Sequence, residues 1–267
     1  MIRFTIVTVC LNAGADLTDT VENTLKQTYP DFEILVKDGF STDGSVERLP
    51  QDDRIRLVQK KDTGIYDAMN QAVEEARGDY VIFMNCGDRF YATDVLEKIA
   101  SSIGEDKQGV YYGSCYYRLR DQVRSYPRTV TPMTCYRTMI CHQAMVYSLS
   151  VLREHPYDLS YRIIADRELL WYLVIRRGME LRCLNVVIAD YKGGGESAKP
   201  EHVKRNKADQ KRLTDTYFTR GQQFQYRLLM ALSLQKLRIA WAHHPRYGKY
   251  YHSLIAGLYS LKKKLRG

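Results

Sequence analysis

No stretch of this chain approaches the roughly 18 consecutive apolar residues that a membrane-crossing helix requires; the longest apolar segments are the strand-length FTIVTVCL and YVIFM. That argues against an integral membrane topology. The six cysteines, at 10, 86, 115, 135, 141 and 183, include no CxxC pair. Several lie inside apolar runs, where cysteine behaves as a small hydrophobe, so no zinc site is expected and a reducing cytosolic setting is. The opening MIRFTIVTVCLNAG has neither a basic leader of useful length nor a small-residue cleavage site after its apolar stretch, and it reads as a buried first strand. Internal repeats and low-complexity tracts are also lacking, which sets aside solenoids and extended disorder.

What is present is a globular composition. Of 267 residues, 45% are hydrophobic and 27% charged, and a chain of this size buries roughly three quarters of its unfolded surface. The formal net charge of +9 is unevenly spread. Residues 1–198 hold 24 Lys and Arg against 28 Asp and Glu, whereas residues 199–267 hold 16 against 3, net charges of −4 and +13. So basic a tail points to an anionic partner, either nucleic acid or the headgroups of a membrane leaflet. Acidic residues at the strand ends would repel nucleic-acid phosphate and no nucleic-acid module accompanies the charge, so no nucleic-acid partner is expected.

The first ninety residues alternate between strand and helix periodicity. FTIVTVCL reads as a strand ending in the turn Asn12-Ala13-Gly14, followed by a helix with Leu17, Val21 and Leu25 on one face. FEILVKD and RIRLVQ read as further strands, with a short capped helix over STDGSVERL between them. Ile65, Ala68, Met69, Ala72, Val73 and Ala76 then recur at helical spacing, Arg77-Gly78-Asp79 ends that helix, and YVIFMN is a fourth strand. Single helices between strands imply right-handed crossovers and a mostly parallel, doubly wound α/β sheet with helices on both faces. Beyond residue 110, YYGSCYYRL and QVRSYP read as antiparallel strands, ADRELLWYLVIRRG as a helix stopped by Gly178, and LRCLNVVIADY as a late strand. The loop Gly193-Gly194-Gly195 precedes two or three basic helices over roughly 200–265.

In open sheets of this kind ligands sit beyond the carboxyl ends of the strands. Asp38 ends its strand in VKDGFSTDGS, where a carboxylate either caps the following turn or accepts an N–H of a nucleotide base, with Gly39 allowing close approach. In KDTGIYDAMNQA, Asp62, Asp67 and Asn70 lie at a helix amino end, as caps or as the seat of an anion. Asn85-Cys86-Gly87-Asp88 follows the fourth strand, and Asp88 is placed either to make a turn or to hold a divalent cation that neutralises a diphosphate.

Together with CHQAMVYS, IIADRELLWYL and YKGGGES, these blocks resemble the family 2 inverting glycosyltransferases of the GT-A fold, enzymes of bacterial cell-surface polysaccharide synthesis. The resemblance spans roughly residues 3–198. It implies a GT-A domain over 1–198, with a nucleotide-sugar half (1–109) and an acceptor half (110–198), and a basic helical appendage over 199–267. By that resemblance Asp38 contacts the nucleotide base with the Asn12 turn beside it, Asp67 and Asn70 border the nucleotide and phosphates, and Asp88 is the ligand of a magnesium or manganese ion. The sequence departs from the common Asp-x-Asp form in offering one carboxylate there, so weaker metal binding is expected. Asp166 matches the catalytic base, anchored by Leu169, Leu170, Leu173 and Val174. His142, with Gln143, would line the acceptor or diphosphate side, and Arg167, Lys192 and Ser197 would steady phosphate charge.

The implied activity is inverting transfer of a sugar from a nucleotide diphosphate sugar to a hydroxyl of a saccharide or lipid-linked saccharide. The alternative is a noncatalytic sugar-nucleotide-binding or assembly protein that keeps the fold. In the tail, Tyr247, Tyr250, Tyr251, Leu254, Ile255, Leu258 and Tyr259 recur on one helical stripe with Lys262, Lys263 and Lys264 mostly off it. Such a helix can lie on an anionic membrane surface, giving a cytoplasmic protein peripheral on the inner face of the cell membrane. Equally, it can pack on its own domain or on a second copy in a homodimer.

Overall fold

The computed structural model describes residues 2–103, 108–194 and 203–232, with the single positions 247, 250 and 253. The chain divides into two compact units, 1–217 and 218–267. In the first, β1 (Phe4–Cys10), β2 (Phe32–Asp38) and β4 (Tyr80–Phe83) are buried along their whole length. Parallel strands covered on both faces have no solvent side to alternate with, so they read as near-continuous apolar runs. The remaining strands are β3 (Ile55–Gln59), β5 (Arg89–Phe90), β6 (Val110–Tyr117), β7 (Gln122–Arg124), β8 (Met145–Ser148) and β9 (Arg182–Tyr191).

Among the described residues the strands form one sheet in the order β3-β2-β1-β4-β8-β6-β9-β5, with β7 paired to β6. From β3 to β4 every pairing is parallel. Strand β8 then enters antiparallel beside β4, and β6 pairs antiparallel with β8 and parallel with β9. The sheet is therefore parallel from β3 to β4 and mixed beyond.

Helices α1 (Ala15–Leu25), α2 (Ile65–Glu75) and α3 (Val95–Ile103) follow β1, β3 and β5. The apolar stripe of α2 is buried through Ala68, Met69, Ala72 and Val73 against β1 and β2. Burial of a side chain such as Met69 or Val73 stabilises by about 1.5–3 kcal/mol. The turn into β4 is equally tight. A Cβ on Gly78 would sit 2.6 Å from the Thr5 nitrogen, and the Gly78 and Arg77 amides donate to Thr5 Oγ1 and to the buried Glu33 carboxylate at 2.8 Å each. Only a glycine lets the backbones approach so closely.

Residues 41–49, expected as a short helix, form bends and turns instead. Local side-chain bonds outcompete the helix there: Asp38 takes the Ser41 amide, Asn12 the Thr42 amide and Asp43 the Ser45 amide. So short a segment also lacks the length to offset nucleation.

Helices α4 (Pro132–Arg137), α5 (Leu149–Glu154) and α6 (Ala165–Trp171) lie in the second half. Helix α6 buries Leu169 and Leu170 and continues as a wider π-type turn over Tyr172–Arg176 that buries Leu173 and Val174. The first unit includes α7 (Val203–Tyr217). Arg212 donates to the Ser160 carbonyl and Tyr217 to the Glu168 carboxylate, which ties α7 to this unit.

In the second unit the described chain is α8 (Arg220–Leu232). Thr219 and Gln222 cap its start reciprocally, the Gln222 amide donating to Thr219 Oγ1 and the Thr219 amide to Gln222 Oε1. Phe224, Leu228, Leu229 and Leu232 are exposed along it. Most of the tyrosine-rich stripe expected over 247–259, and the loop residues Gly195 and Ser197, lie outside the described residues. Among the described residues no helix is long and apolar enough to cross a membrane.

Candidate active site

A cleft of about 1000 Å³ opens at the carboxyl ends of β1 and β4. Register brings its walls together. Tyr80 pairs with Ser148 and Val81 with Tyr147, so continuing the antiparallel ladder sets residue 143 opposite residue 85. Likewise Arg89 pairs with Asp190, which carries residue 192 back to residue 87. Asp88, Gln143 and Lys192, remote in the chain, meet for this reason.

Asp88 is buried at the cleft wall. Its Oδ2 accepts from Gln143 Nε2 at 2.7 Å and its Oδ1 from the Lys192 amide at 2.9 Å. Burial raises its pKa above the ordinary carboxylate value, and these two bonds oppose the rise. The Lys192 ammonium pairs with the exposed Asp16 carboxylate at 2.6 Å, crossing Gly87, where a Cβ would meet Lys192 Cδ at 2.7 Å. Among the described residues no group of three or more His, Cys, Asp and Glu side chains could hold a metal. As one hard oxygen donor with a free lone pair on each oxygen, Asp88 fits a divalent cation whose other ligands are diphosphate oxygens and water.

Asp166 stands at the start of α6 and lines the same cleft. Tyr66 Oη donates to its Oδ1 at 2.9 Å and the Arg167 amide does so at 2.9 Å. The other oxygen, Oδ2, lies 3.4 Å from His142 Nδ1. Burial works against the Asp166 charge, but the bonds and charge from His142 and the Tyr66 hydroxyl outweigh it, and its pKa lies below the ordinary value. His142 moves the opposite way: burial lowers its pKa, and Asp166 more than compensates by raising it. On the far side of the ring, Asn85 Nδ2 lies 3.0 Å from His142 Nε2.

Asp38 does not line the cleft. It is fully buried, and its oxygens accept from the Ser41 amide and hydroxyl, the Phe40 amide and Gln59 Nε2. Burial alone would raise its pKa; the bonds from Ser41 and Gln59 outweigh that and hold it low. Asn12, with φ of 51°, joins the loops after β1 and β2 by accepting the Thr42 amide and donating its own to Ser41 Oγ. The structure thus brings Asp88, His142 and Asp166 together at the cleft and keeps Asp38 and Asn12 in the scaffold of its rim.

Asp67 also lines the cleft, and its carboxylate turns back to cap Thr63, accepting the amide at 2.8 Å and the hydroxyl at 3.0 Å. Asn70 faces elsewhere and pairs twice with the Tyr157 backbone, at 2.9 Å each way. Arg167 likewise is not among the cleft-lining residues. Ser197 lies outside the described residues.

Several residues at the site carry no local signal. Lys37, fully buried, pairs with Asp62 and donates to the Lys60 carbonyl, fixing a carboxylate at the cleft wall. A lysine inside the apolar run FEILVKD was the one hint, since a buried ammonium requires a partner. Tyr66 and Asp16 carry no such hint, because their partners Asp166 and Lys192 lie 100 and 176 residues away.

The model of the family described as Glycosyl transferase family 2 matches residues 5–161. Among curated proteins, a PGL/p-HBAD biosynthesis glycosyltransferase of Mycobacterium bovis is 30% identical over 195 residues, 70% of this chain and 76% of that protein. Among solved structures, S. aureus TarS 1-349 in complex with UDP-GlcNAc is similar with a TM-score of 0.62 at 17% identity, over 79% of this chain. The present chain spans 65% of that fragment. Mannosyltransferase PcManGT from Pyrobaculum calidifontis, in complex with GDP-Man and Mn2+, is similar with a TM-score of 0.58 at 16% identity, over 94% of this chain and 83% of its own. At such identities the two structures speak to the fold.

Proposed function

The chain belongs to glycosyl transferase family 2 and is a glycosyltransferase; from that premise we propose that it transfers a sugar, with inversion, from a nucleotide diphosphate sugar to a hydroxyl of a saccharide or lipid-linked saccharide of the cell surface. The carrying observation is Asp166, a partly buried carboxylate held in place by Tyr66, the Arg167 amide and His142 in the same cleft as Asp88. Inversion requires a base on the acceptor hydroxyl, opposite the departing nucleoside diphosphate. Asp166 Oδ2 accepts that proton as the hydroxyl oxygen attacks the anomeric carbon, while Tyr66 and the Arg167 amide keep Oδ1 from rotating into its place. UDP-GlcNAc and GDP-Man in the two fold neighbours support a nucleotide-sugar donor.

Asp88 is the residue that would hold a divalent cation, which would supply positive charge to the diphosphate leaving group; Mn2+ in the mannosyltransferase neighbour supports this. Lys192 adds a protein cation beside it. Asp67, with Asp62 beside it at the cleft wall, is the rim carboxylate that would border base and phosphates, while Asp38, Asn12 and Asn70 support that rim from behind.

The base assignment is tested by Asp166→Asn. Removing a general base lowers turnover by about 10²–10⁴-fold, and the affinity for the nucleoside diphosphate, read by calorimetry, is expected to stay within about twofold. Undiminished transfer by that variant would overturn the assignment.

The exposed row Phe224, Leu228, Leu229 and Leu232 on α8, within a region of net charge +13, supports attachment to an anionic lipid surface.

A further inference from the structure

The single-turn 3₁₀ segment His142–Ala144 leads directly into β8. Its first two residues reach opposite sides of the cleft. Gln143 is buried and satisfied at both ends of its amide, Nε2 donating to Asp88 Oδ2 at 2.7 Å and Oε1 accepting from Cys141 Sγ at 2.8 Å. His142 presents Nδ1 to Asp166 Oδ2 at 3.4 Å. A carboxylate from the end of β4 and one from the start of α6 are therefore joined through two adjacent side chains.

Building on the sugar-transfer reading above, we propose that His142 and Gln143 are positioning residues that set the donor-side and acceptor-side carboxylates at one spacing, Gln143 by orienting Asp88 and His142 by orienting Asp166. Transfer succeeds only when the anomeric carbon and the base are held within a fraction of an ångström of productive geometry. Two residues on one turn, anchored by the first ladder bonds of β8, convert sheet register into that spacing.

The ring's orientation is enforced from behind. The Asn85 amide nitrogen faces Nε2 at 3.0 Å; in the tautomer that satisfies this contact Nε2 accepts, and the ring proton on Nδ1 is directed at Asp166. Asn85 Oδ1 is buried without a partner. Turning the amide over would let that oxygen accept from a protonated Nε2, so the imidazole can gain a proton without leaving Asp166. The charged and titratable groups that face His142 are Asp166 from α6, Asp88 from beyond β4, and Cys141 beside it.

The test compares His142→Ala, His142→Asn and Gln143→Leu with the full-length protein, each variant first shown by thermal unfolding to be folded. An asparagine Nδ2 occupies nearly the place of Nδ1 and keeps the bond to Asp166. Loss of an orienting partner costs on the order of 10–100-fold. His142→Ala is expected to lower kcat by about tenfold or more at unchanged donor KM, with His142→Asn recovering most of it. Gln143→Leu is expected to raise donor KM by about tenfold with kcat little changed. Equal loss in both His142 variants, or wild-type kinetics in all three, overturns the proposal.

A protein that turns over no nucleotide sugar at all would count against the sugar-transfer reading instead. The positioning role is then decided by the ¹⁵N shifts of the His142 ring. An Nδ1–H tautomer that is lost in Asp166→Ala supports it, and an Nε2–H tautomer in the wild type overturns it.

Discussion

Phe40 holds a left-handed backbone, with φ of 68°, in the loop after β2. A bulky side chain in that region costs on the order of 1–3 kcal/mol, and Phe40 is 49% exposed, so burial returns little. The conformation is imposed by Asp38, which collects the Phe40 and Ser41 amides. Phe40→Gly is accordingly expected to stabilise the protein by about 1 kcal/mol, read as a higher urea midpoint. Asp38→Asn should do the reverse in a pH-dependent way. The Asp38 pKa is held below the ordinary carboxylate value, so its contribution is complete above that value and disappears as pH falls through the lowered folded-state pKa. The stability gap between wild type and Asp38→Asn is therefore expected to be full at pH 7 and to narrow below pH 3.8; a gap independent of pH would contradict it. Asp38 was visible in the sequence as a strand-end carboxylate, but its saturation by loop donors was not, because the donors depend on how residues 39–45 turn.

At the level of elements, periodicity identified β1, β2, β3, β4 and α2 because each is a local pattern of burial. The stripe from Ile65 to Ala76 could only be one face of a helix. The segment over STDGSVERL went the other way, since its helix-capping residues cap turns as readily as helices. Strand β8 is a different case: four buried residues after a histidine show no period that distinguishes strand from helix, and its place beside β4 is set by pairing. Gly78 marks the tightest junction between elements. Because its added Cβ would meet backbone atoms of Phe4 and Thr5 at 2.7 and 2.6 Å, neither of which can rotate away, Gly78→Ala is expected to cost about 1–3 kcal/mol in chemical denaturation. A loss within a few tenths of a kcal/mol would show that the α2–β4 turn gives more readily than this packing implies.

For the whole molecule, the asymmetry of charge is the property that no single element carries. The segment 199–267, at +13, belongs to a chain whose first 198 residues are net acidic. With each basic residue near an anionic surface contributing about 1 kcal/mol, the full chain is expected to co-sediment with phosphatidylglycerol vesicles at low salt and to be released as salt rises. Phosphatidylcholine vesicles should retain little of it. Replacing Phe224, Leu228 and Leu232 together by serine should weaken sedimentation. Sedimentation unchanged by these substitutions would dismiss α8 as the contact, and concentration-dependent self-association that they abolish would assign the face to a second copy.

By itself, the amino-acid order determined the alternation of strand and helix, the apolar runs that must be buried on both faces, the basic end of the chain and the set of carboxylates at strand ends. These are local properties, written in spacing and composition. Only the tertiary structure decided which carboxylates face the cleft and which are absorbed into its frame. Asp88 meets Gln143 across 55 residues and Tyr66 meets Asp166 across 100, and such meetings follow from strand order and register. A pairing of β8 shifted by one residue would turn the strand's own side chains to the other face of the sheet and carry Gln143 out of step with Asp88.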